Sequence, residues 1–250
     1  MIAAVLRVLH HVVERPRPCS YLEAETAALE YRLIVDVSPA EHEALLSRGW
    51  RRFGPSYFRP TCSPCGECVS LRVPVGTFAP TRAQRRAARK GAALRREVGP
   101  VRVDRARLAL HAAWHADRER ERGWDAMPLE RKDYLRDFAF PHSCAREVTY
   151  WDDRAEGGPR LVAVGLCDET PKAWSAIYFF HDPGYAAFSL GVLNVLDLVE
   201  LARAGGKEHV YLGYRVQGCA SMKYKATYGP HELLSGRPGA DEEPRWIVGR

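Results

Sequence analysis

No uninterrupted apolar run in this 250-residue chain reaches the ~20 residues that a helix needs to cross a bilayer. The opening stretch Met1–Val13 is apolar but short. It carries Arg7, His10 and His11 and lacks a small-residue cleavage pattern, so it does not read as an export signal. Seven cysteines are an odd number, and without an export signal they point to reduced thiols in the cytoplasm rather than a disulfide framework. There is no internal repeat. Acidic residues are missing from 82 to 96, although that stretch is rich in arginine. These absences argue against a membrane-spanning protein, a secreted disulfide scaffold and a repeat array.

What is present is ordinary globular material, 46% hydrophobic and 27% charged, enough for one large or two small domains. A formal net charge of +6 biases the surface toward anionic partners. Cysteines fall at three-residue spacing in Cys62-Ser-Pro-Cys65-Gly-Glu-Cys68. Pro64 and Gly66 favour a loop that turns such thiolates to one centre, and soft sulfur suits zinc or an iron–sulfur cluster. Both usually want four ligands. Cys19, in a proline-flanked segment, is the best remote fourth; Cys144, Cys167 and Cys219 are weaker, and Cys167 closes an apolar strand. The alternative is free thiols lining a substrate pocket.

Arg82, Arg85, Arg86, Arg89 and Lys90 recur at i, i+3, i+4, i+7, i+8, one face of a helix. Thr81 and Gln84 form a capping-box pattern that starts it. Guanidinium groups in a first turn oppose the helix dipole, a conflict that a bound phosphate relieves. Nucleic-acid backbone contact is expected here; a solvated charged face is the bland alternative.

Punctuation and periodicity predict a strand at Tyr31–Val37 and a helix from Pro39 to about Arg48, capped by Ser38 and Glu41 and ended by Gly49. Strands follow at Trp50–Phe58 and Ser70–Val75, then the basic helix, then helices over Val101 to about Gly123 and Glu130–Phe140. The pattern next predicts strands at Glu147–Trp151, Leu161–Cys167 and Ala173–Phe180, and a turn into Tyr185–Ser189. A buried helix, Gly191–Ala204, precedes the strand His209–Arg215. Met1–Glu14 reads equally as helix or strand, and the chain from Gly236 reads as a loose polar tail. The expected organisation is an amino-terminal region, 1–95, with the cysteine loop and basic helix, packed on a second domain, 96–250. The element order of the second half fits an α/β fold of the N-acetyltransferase (GNAT-like) type, a mixed sheet with flanking helices. Ser189-Leu190-Gly191 has a single glycine where ordinary members carry a glycine-rich coenzyme A loop, so no coenzyme A is expected.

Several motifs in order resemble the aminoacyl-tRNA–protein transferases over nearly the whole chain. They are Cys19-Ser-Tyr21-Leu22, Arg48-Gly49-Trp50-Arg51-Arg52-Phe53-Gly54, Tyr57-Phe58-Arg59-Pro60, the cysteine trio and Arg82-Ala-Gln84-Arg85-Arg86 in the first half. In the second half they are Tyr178 to Tyr185, Ser189-Leu190-Gly191, Tyr211-Leu-Gly-Tyr214, Met222-Lys223-Tyr224-Lys225-Ala226 and His231-Glu232-Leu233-Leu234. Arg215 departs from the aromatic or aliphatic residue expected there. The resemblance implies transfer of arginine or leucine from aminoacyl-tRNA to the amino terminus of proteins beginning with Asp or Glu, marking them for degradation. It also implies a 4Fe–4S cluster on Cys19, Cys62, Cys65 and Cys68, with zinc as the alternative that thiolate chemistry allows.

The chemistry needs no exotic group. An aminoacyl ester is already activated, so holding an amine beside its carbonyl supplies much of the rate. An acidic acceptor needs a cation, for which Lys223 and Lys225 are the candidates, with Arg59 as an outsider. Tyr211, Tyr214 and Tyr224 are the candidates for orienting the amine and the tRNA 3′ end, and Ser189 and Gly191 for the donor. Each tyrosine could equally be a packed strand residue with a satisfied hydroxyl. A non-catalytic RNA-binding protein with a structural metal is the competing reading. It would bind charged and uncharged tRNA alike and form no peptide bond. His111 and His115, at i, i+4, read as surface or partly buried side chains.

Overall fold

The computed structural model describes residues 6–123, 125–126 and 130–249. Strands β1 (Val8–Val13), β2 (Arg17–Pro18), β3 (Thr26–Ala27) and β4 (Leu29–Ile34) precede helix α1 (Pro39–Ser47). Then come β5 (Arg51–Phe53), β6 (Ser56–Pro60), β7 (Val69–Pro74), α2 (Arg82–Gly91), β8 (Arg95–Gly99), α3 (Arg105–Arg122) and α4 (Arg131–Asp137). The second half runs β9 (Ala145–Asp152), β10 (Arg160–Glu169), β11 (Ala173–His181), α5 (Leu190–Ala204), β12 (His209–Arg215), α6 (Ala220–Lys223), β13 (Glu232–Leu234) and β14 (Trp246–Val248).

Most boundaries follow the local chemistry. Ser38 and Glu41 close a reciprocal capping box on α1, and Thr81 and Gln84 do the same on α2. Asp104 caps α3, so the chain from Val101 to Val103 stays outside that helix. The expected strand Trp50–Phe58 is instead the hairpin β5–β6, turned at Gly54 with φ +53°. No strand forms at Tyr185–Ser189. Asp182 caps Gly184 N–H, and Pro183 starts a 3-10 turn, Pro183–Phe188. The opening stretch, left undecided by its pattern, is a strand from Val8; residues 1–5 lie outside the described ones.

The large sheet has eight strands in the order β14-β13-β7-β12-β11-β10-β9-β8. All neighbours are antiparallel except β11 and β12, which the crossover helix α5 joins in parallel. Its two faces carry separate cores. Leu193, Leu196 and Val199 of α5 pack against Leu71, Val73, Val148 and Tyr150 on one face. Leu110 of α3 and Tyr134 of α4 pack against Leu161, Val164 and Phe180 on the other. Each such side chain contributes about 1.5–3 kcal/mol by burial. A four-stranded sheet, β1-β4-β6-β5, joins with α1 around Ile34, Leu45, Trp50 and Tyr57. The expected boundary at residue 95 does not separate two sheets, because β7 lies inside the large one.

The tail is not loose. Pro238 O accepts from Arg59 at 2.9 Å, Gly239 O accepts from Arg48 at 3.2 Å, and β14 adds an edge strand to β13. Trp246 donates to Ser47 O at 3.2 Å, under the Arg72 guanidinium 4.3 Å from its ring. The composition of the tail is polar, but its one tryptophan finds an apolar seat beside Leu46 and Tyr211.

Candidate functional site

β11 and β12 pair only at Ala173–Ser175 with His209–Tyr211 and then part. A bulge interrupts each strand next to the parting: Ile177 is skipped in the β10–β11 register, and Leu212 in the β12–β7 register. Bulges bend strands and gather near active sites. Gly213, at φ +80°, completes the β12 distortion, a backbone that L side chains rarely adopt.

Arg51 fills the notch. Its guanidinium donates to Ser175 Oγ at 2.9 Å and to Ala176 O, and the residue is 7% exposed. Lys225 approaches from the other side and donates its ammonium to Tyr214 O at 2.9 Å. A Cβ built on Gly213 would lie 3.5 Å from Lys225 Nζ and 3.7 Å from Arg51 Nε, so the two cations share one space. Among the described residues neither meets a carboxylate within salt-bridge distance. Burial, and then the neighbouring Arg51, pull the Lys225 amine down to about 7. A buried charge without a counterion is costly, and an incoming anion offsets that cost.

The other expected site residues divide. Tyr214 donates its hydroxyl to Gly49 O at 2.7 Å and is 3.3 Å from Phe58 O. Tyr211 is buried against Trp246 and meets Arg72 at 3.5 Å. Both are anchors, and the three tyrosines do not gather; only Tyr224 is exposed. Lys223 is also exposed. Arg59 is held by Glu30 at 2.8 Å and stacks over Trp50. Ser189 adopts φ +57° at the start of α5, with Gly191 beside Phe179. Arg51 lies in the Arg48–Gly54 motif but was given no site role; as one of two adjacent residues in a strand it faces the side opposite to Arg52.

The basic face of α2 is solvent-facing. Arg82, Arg85, Arg86, Arg89 and Lys90 are exposed and, among the described residues, none pairs with a carboxylate. Gln84, Ala87 and Gly91 form the buried face, and a Cβ at Gly91 would overlap the Leu193 side chain of α5 unless that side chain moved. Lys90 donates to Ala187 O at 2.8 Å, ahead of α5, and Gln84 Nε2 donates to Thr227 O at 3.2 Å.

Cys62, Cys65 and Cys68 line a cavity of about 470 Å³ with Arg48, Arg59 and Arg237. Arg237 donates to Cys62 O at 2.9 Å and Cys65 O at 3.1 Å, so the tail braces the cysteine loop. Burial, then Cys62, Cys19 and Cys65, push the Cys68 thiol up to about 12. The other three sulfurs therefore stand within electrostatic reach of Cys68, and four thiols are a donor set that suits a soft metal. Among the described residues, however, no three metal-ligating side chains converge tightly enough to hold an ion as they stand.

One largely buried network ties Arg52 and Tyr57, both in sequence motifs, to His42, His142 and Asp168, which lie in none. Cys144 N–H donates to His142 Nδ1 at 3.2 Å, which leaves the hydrogen of a neutral ring on Nε2. That hydrogen reaches Tyr57 Oη at 2.9 Å; Tyr57 donates to His42 Nδ1 at 2.9 Å, and His42 Nε2 to Asp168 at 2.8 Å. Arg52 clasps the same carboxylate. Burial pulls His142 down to about 3, consistent with a neutral ring. His111 and His115 are buried too, stacked at 4.2 Å, not at the surface.

A parted parallel strand pair, two cations in its notch that meet no carboxylate among the described residues, and an exposed basic helix alongside define an α/β protein whose site suits anionic ligands. The chain belongs to the arginine-tRNA-protein transferase family: residues 17–86 match its N terminus and 106–235 its C terminus. It is 31% identical over 229 residues to an aspartate/glutamate leucyltransferase of Helicobacter hepaticus, covering 91% of this chain and 93% of that one. A protein of the same name from Halorhodospira halophila is 34% identical over 220 residues, 88% of this chain and 91% of that one. Among solved structures, FemX superposes with a TM-score of 0.47 and 8% identity over 82% of this chain and 79% of that one. L-PGS from Bacillus licheniformis gives 0.43 and 12% over 80% and 68%. Among the described residues no helix is long and apolar enough to cross a membrane.

Proposed function

We propose that this protein transfers leucine from aminoacyl-tRNA to the amino terminus of proteins that begin with Asp or Glu, in the cytoplasm. The observation that carries this reading is the pair of cations where β11 and β12 part, buried Arg51 and half-buried Lys225, neither with a carboxylate partner among the described residues. They receive the acceptor's acidic side chain. The exposed arginines of α2 receive tRNA phosphates, and the names of the relatives support leucine as the amino acid carried.

The acceptor α-amine attacks the ester carbonyl, the peptide bond forms, and the bond to the tRNA 3′ oxygen breaks. The proton lost by the amine leaves with that oxygen or with water. Free α-amines titrate at about 7.7–8.0, so a useful fraction is nucleophilic at neutral pH. The site then works mainly by holding the two reactants together. Arg51 fixes the acceptor carboxylate permanently; Lys225 adds a second cation whose charge the bound carboxylate favours. The parted strands and α5 support a GNAT-like arrangement, with Ser189 and Gly191 at the helix start toward the donor. Cys19, Cys62, Cys65 and Cys68 would hold a 4Fe–4S cluster, or zinc, which would tie the two cysteine segments together.

The test is transfer from leucyl- and arginyl-tRNA, separately, to peptides led by Asp, Glu, Lys or Ala, with products read by mass. Leucine on the acidic peptides alone is expected. Equal transfer to the Ala-led peptide would remove the cationic acceptor site.

A further inference from the structure

The side chain of Gln84 serves two elements at once. Its Oε1 accepts from Thr81 N–H at 2.8 Å, closing the capping box of α2. Its Nε2 donates to Thr227 O at 3.2 Å, in the turn Tyr224–Thr227 that carries Lys225. The residue is 5% exposed, between the exposed Arg82 and Arg85. Below the turn, Tyr228 is buried in the core, and Thr227 Oγ1 bonds back to Tyr224 O at 2.7 Å, so the turn is a short, braced unit. Lys90, at the other end of α2, holds Ala187 O ahead of α5. The helix thus grips both banks of the notch between β11 and β12.

We infer that Gln84 is a positioning residue through which tRNA seated on α2 sets the turn that presents Lys225 to the acceptor. Resting on the functional reading above, this assigns the order of events: tRNA docks first and completes the acceptor site. Phosphate contacts fix how α2 lies, and the amide carries that position to Thr227 O two residues from Lys225. The other described side-chain hydrogen bonds of α2 to the rest of the chain end on Pro80 and Ala187, not on this turn.

Two substitutions separate the cap from the link. Gln84→Glu keeps an acceptor for Thr81 N–H but has no hydrogen to give Thr227 O. Gln84→Met loses both without adding charge. Both are expected to lower kcat for an Asp-led peptide roughly tenfold at saturating charged tRNA, the usual scale for removing one buried donor. Direct tRNA binding by the Met variant should stay within about threefold of the parent. Parental kcat and peptide KM in both variants would overturn the inference. So would a loss confined to the Met variant and matched by its fall in Tm, which would leave Gln84 as a cap only. Amide exchange reads the same coupling without turnover. In the parent, tRNA should slow exchange over residues 222–227, and Gln84→Met should abolish that slowing. No change in the parent overturns the coupling whether or not transfer is detected. Failure of the functional reading would show separately, as no transfer by the parent.

Discussion

Arg51 and Arg52 are neighbours in β5 and are both buried, at 7% and 4% exposure, yet among the described residues only Arg52 meets a carboxylate. Adjacent strand residues face opposite ways, and both faces of this short strand are covered. Arg52 turns to Asp168, which also holds His42, and so locks the small sheet to β10. Arg51 turns to the notch and finds a hydroxyl and a carbonyl. Two residues of one type and similar burial thus differ in whether the protein itself supplies the counterion.

Their substitutions should therefore part company. Arg52→Met strands the buried Asp168 and should cost about 3–5 kcal/mol in denaturant melts. Arg51→Met removes an unpaired buried charge and should leave stability unchanged or raised. It should also lower the preference for Asp-led over Ala-led peptides by about 30-fold or more, the scale of breaking a buried carboxylate–cation pair. A parental Asp/Ala ratio in Arg51→Met would place the carboxylate elsewhere.

Lys225 sets a pH dependence. Its amine, held down to about 7 by burial and by Arg51, is charged below that pH and neutral above it. Acceptor affinity should fade as pH rises through 7, whereas the attacking α-amine gains reactivity up to about 8. The kcat/KM profile for an Asp-led peptide should be a bell. Lys225→Arg, charged at every working pH, should convert the bell to a rise and plateau; an unchanged falling limb would assign that limb to another group.

The basic face of α2 predicts a salt effect. Arg85→Gln, Arg86→Gln and Arg89→Gln together should weaken charged-tRNA binding and flatten the log–log salt slope by about 0.7–0.9 for each phosphate the variant no longer neutralises. Peptide affinity measured without tRNA should hardly move. A parental slope would mean that this face, unpaired as it is, only meets solvent.

Tyr57 predicts both stability and its acid limb. Tyr57→Phe leaves His42 Nδ1 without a donor and His142 Nε2–H without an acceptor, at a cost of about 1–3 kcal/mol. His142 titrates near 3 in the folded protein and near 6.5 as a free ring, so the unfolded chain binds the extra proton between those limits. Its contribution is complete above pH 6.5 and is lost progressively as pH falls toward 3. Melts of the parent from about pH 7 to about pH 4 should show this loss, and an acid limb unchanged in His142→Leu would locate it elsewhere.

Local chemistry made much of this fold readable in advance. The capping boxes at Ser38 and Thr81, the period of α2, and the apolar runs of β10 and α5 are set by neighbours in sequence. The docked tail was not readable, because its seat is built by Leu46, Arg72 and Tyr211 from distant segments. The site behaved similarly. The block Met222–Lys225 pointed to the notch, but choosing Lys225 over Lys223 needs burial, and finding Arg51 there needs the parting of two strands. Tyr214 drew attention as a motif residue; what fixes its role is Gly49 O, 165 positions away.

The cysteines predict a change of state. Cys62, Cys65 and Cys68 line one cavity, with Cys19 near enough to raise the Cys68 thiol alongside them. Thiols repel further deprotonation of one another, and a soft cation reverses that by binding thiolates. Anaerobic reconstitution with iron and sulfide should therefore give a brown protein that bleaches in air. Cys65→Ser should abolish the colour. The loaded protein should also protect the 62–68 loop from proteolysis, since a shared centre would replace the brace now given by Arg237 to Cys62 O and Cys65 O. A colourless product holding about one zinc would assign the same thiols to a structural site. Full transfer activity in Cys65→Ser with neither metal bound would make them a wall of the cavity, held by the tail rather than by an ion.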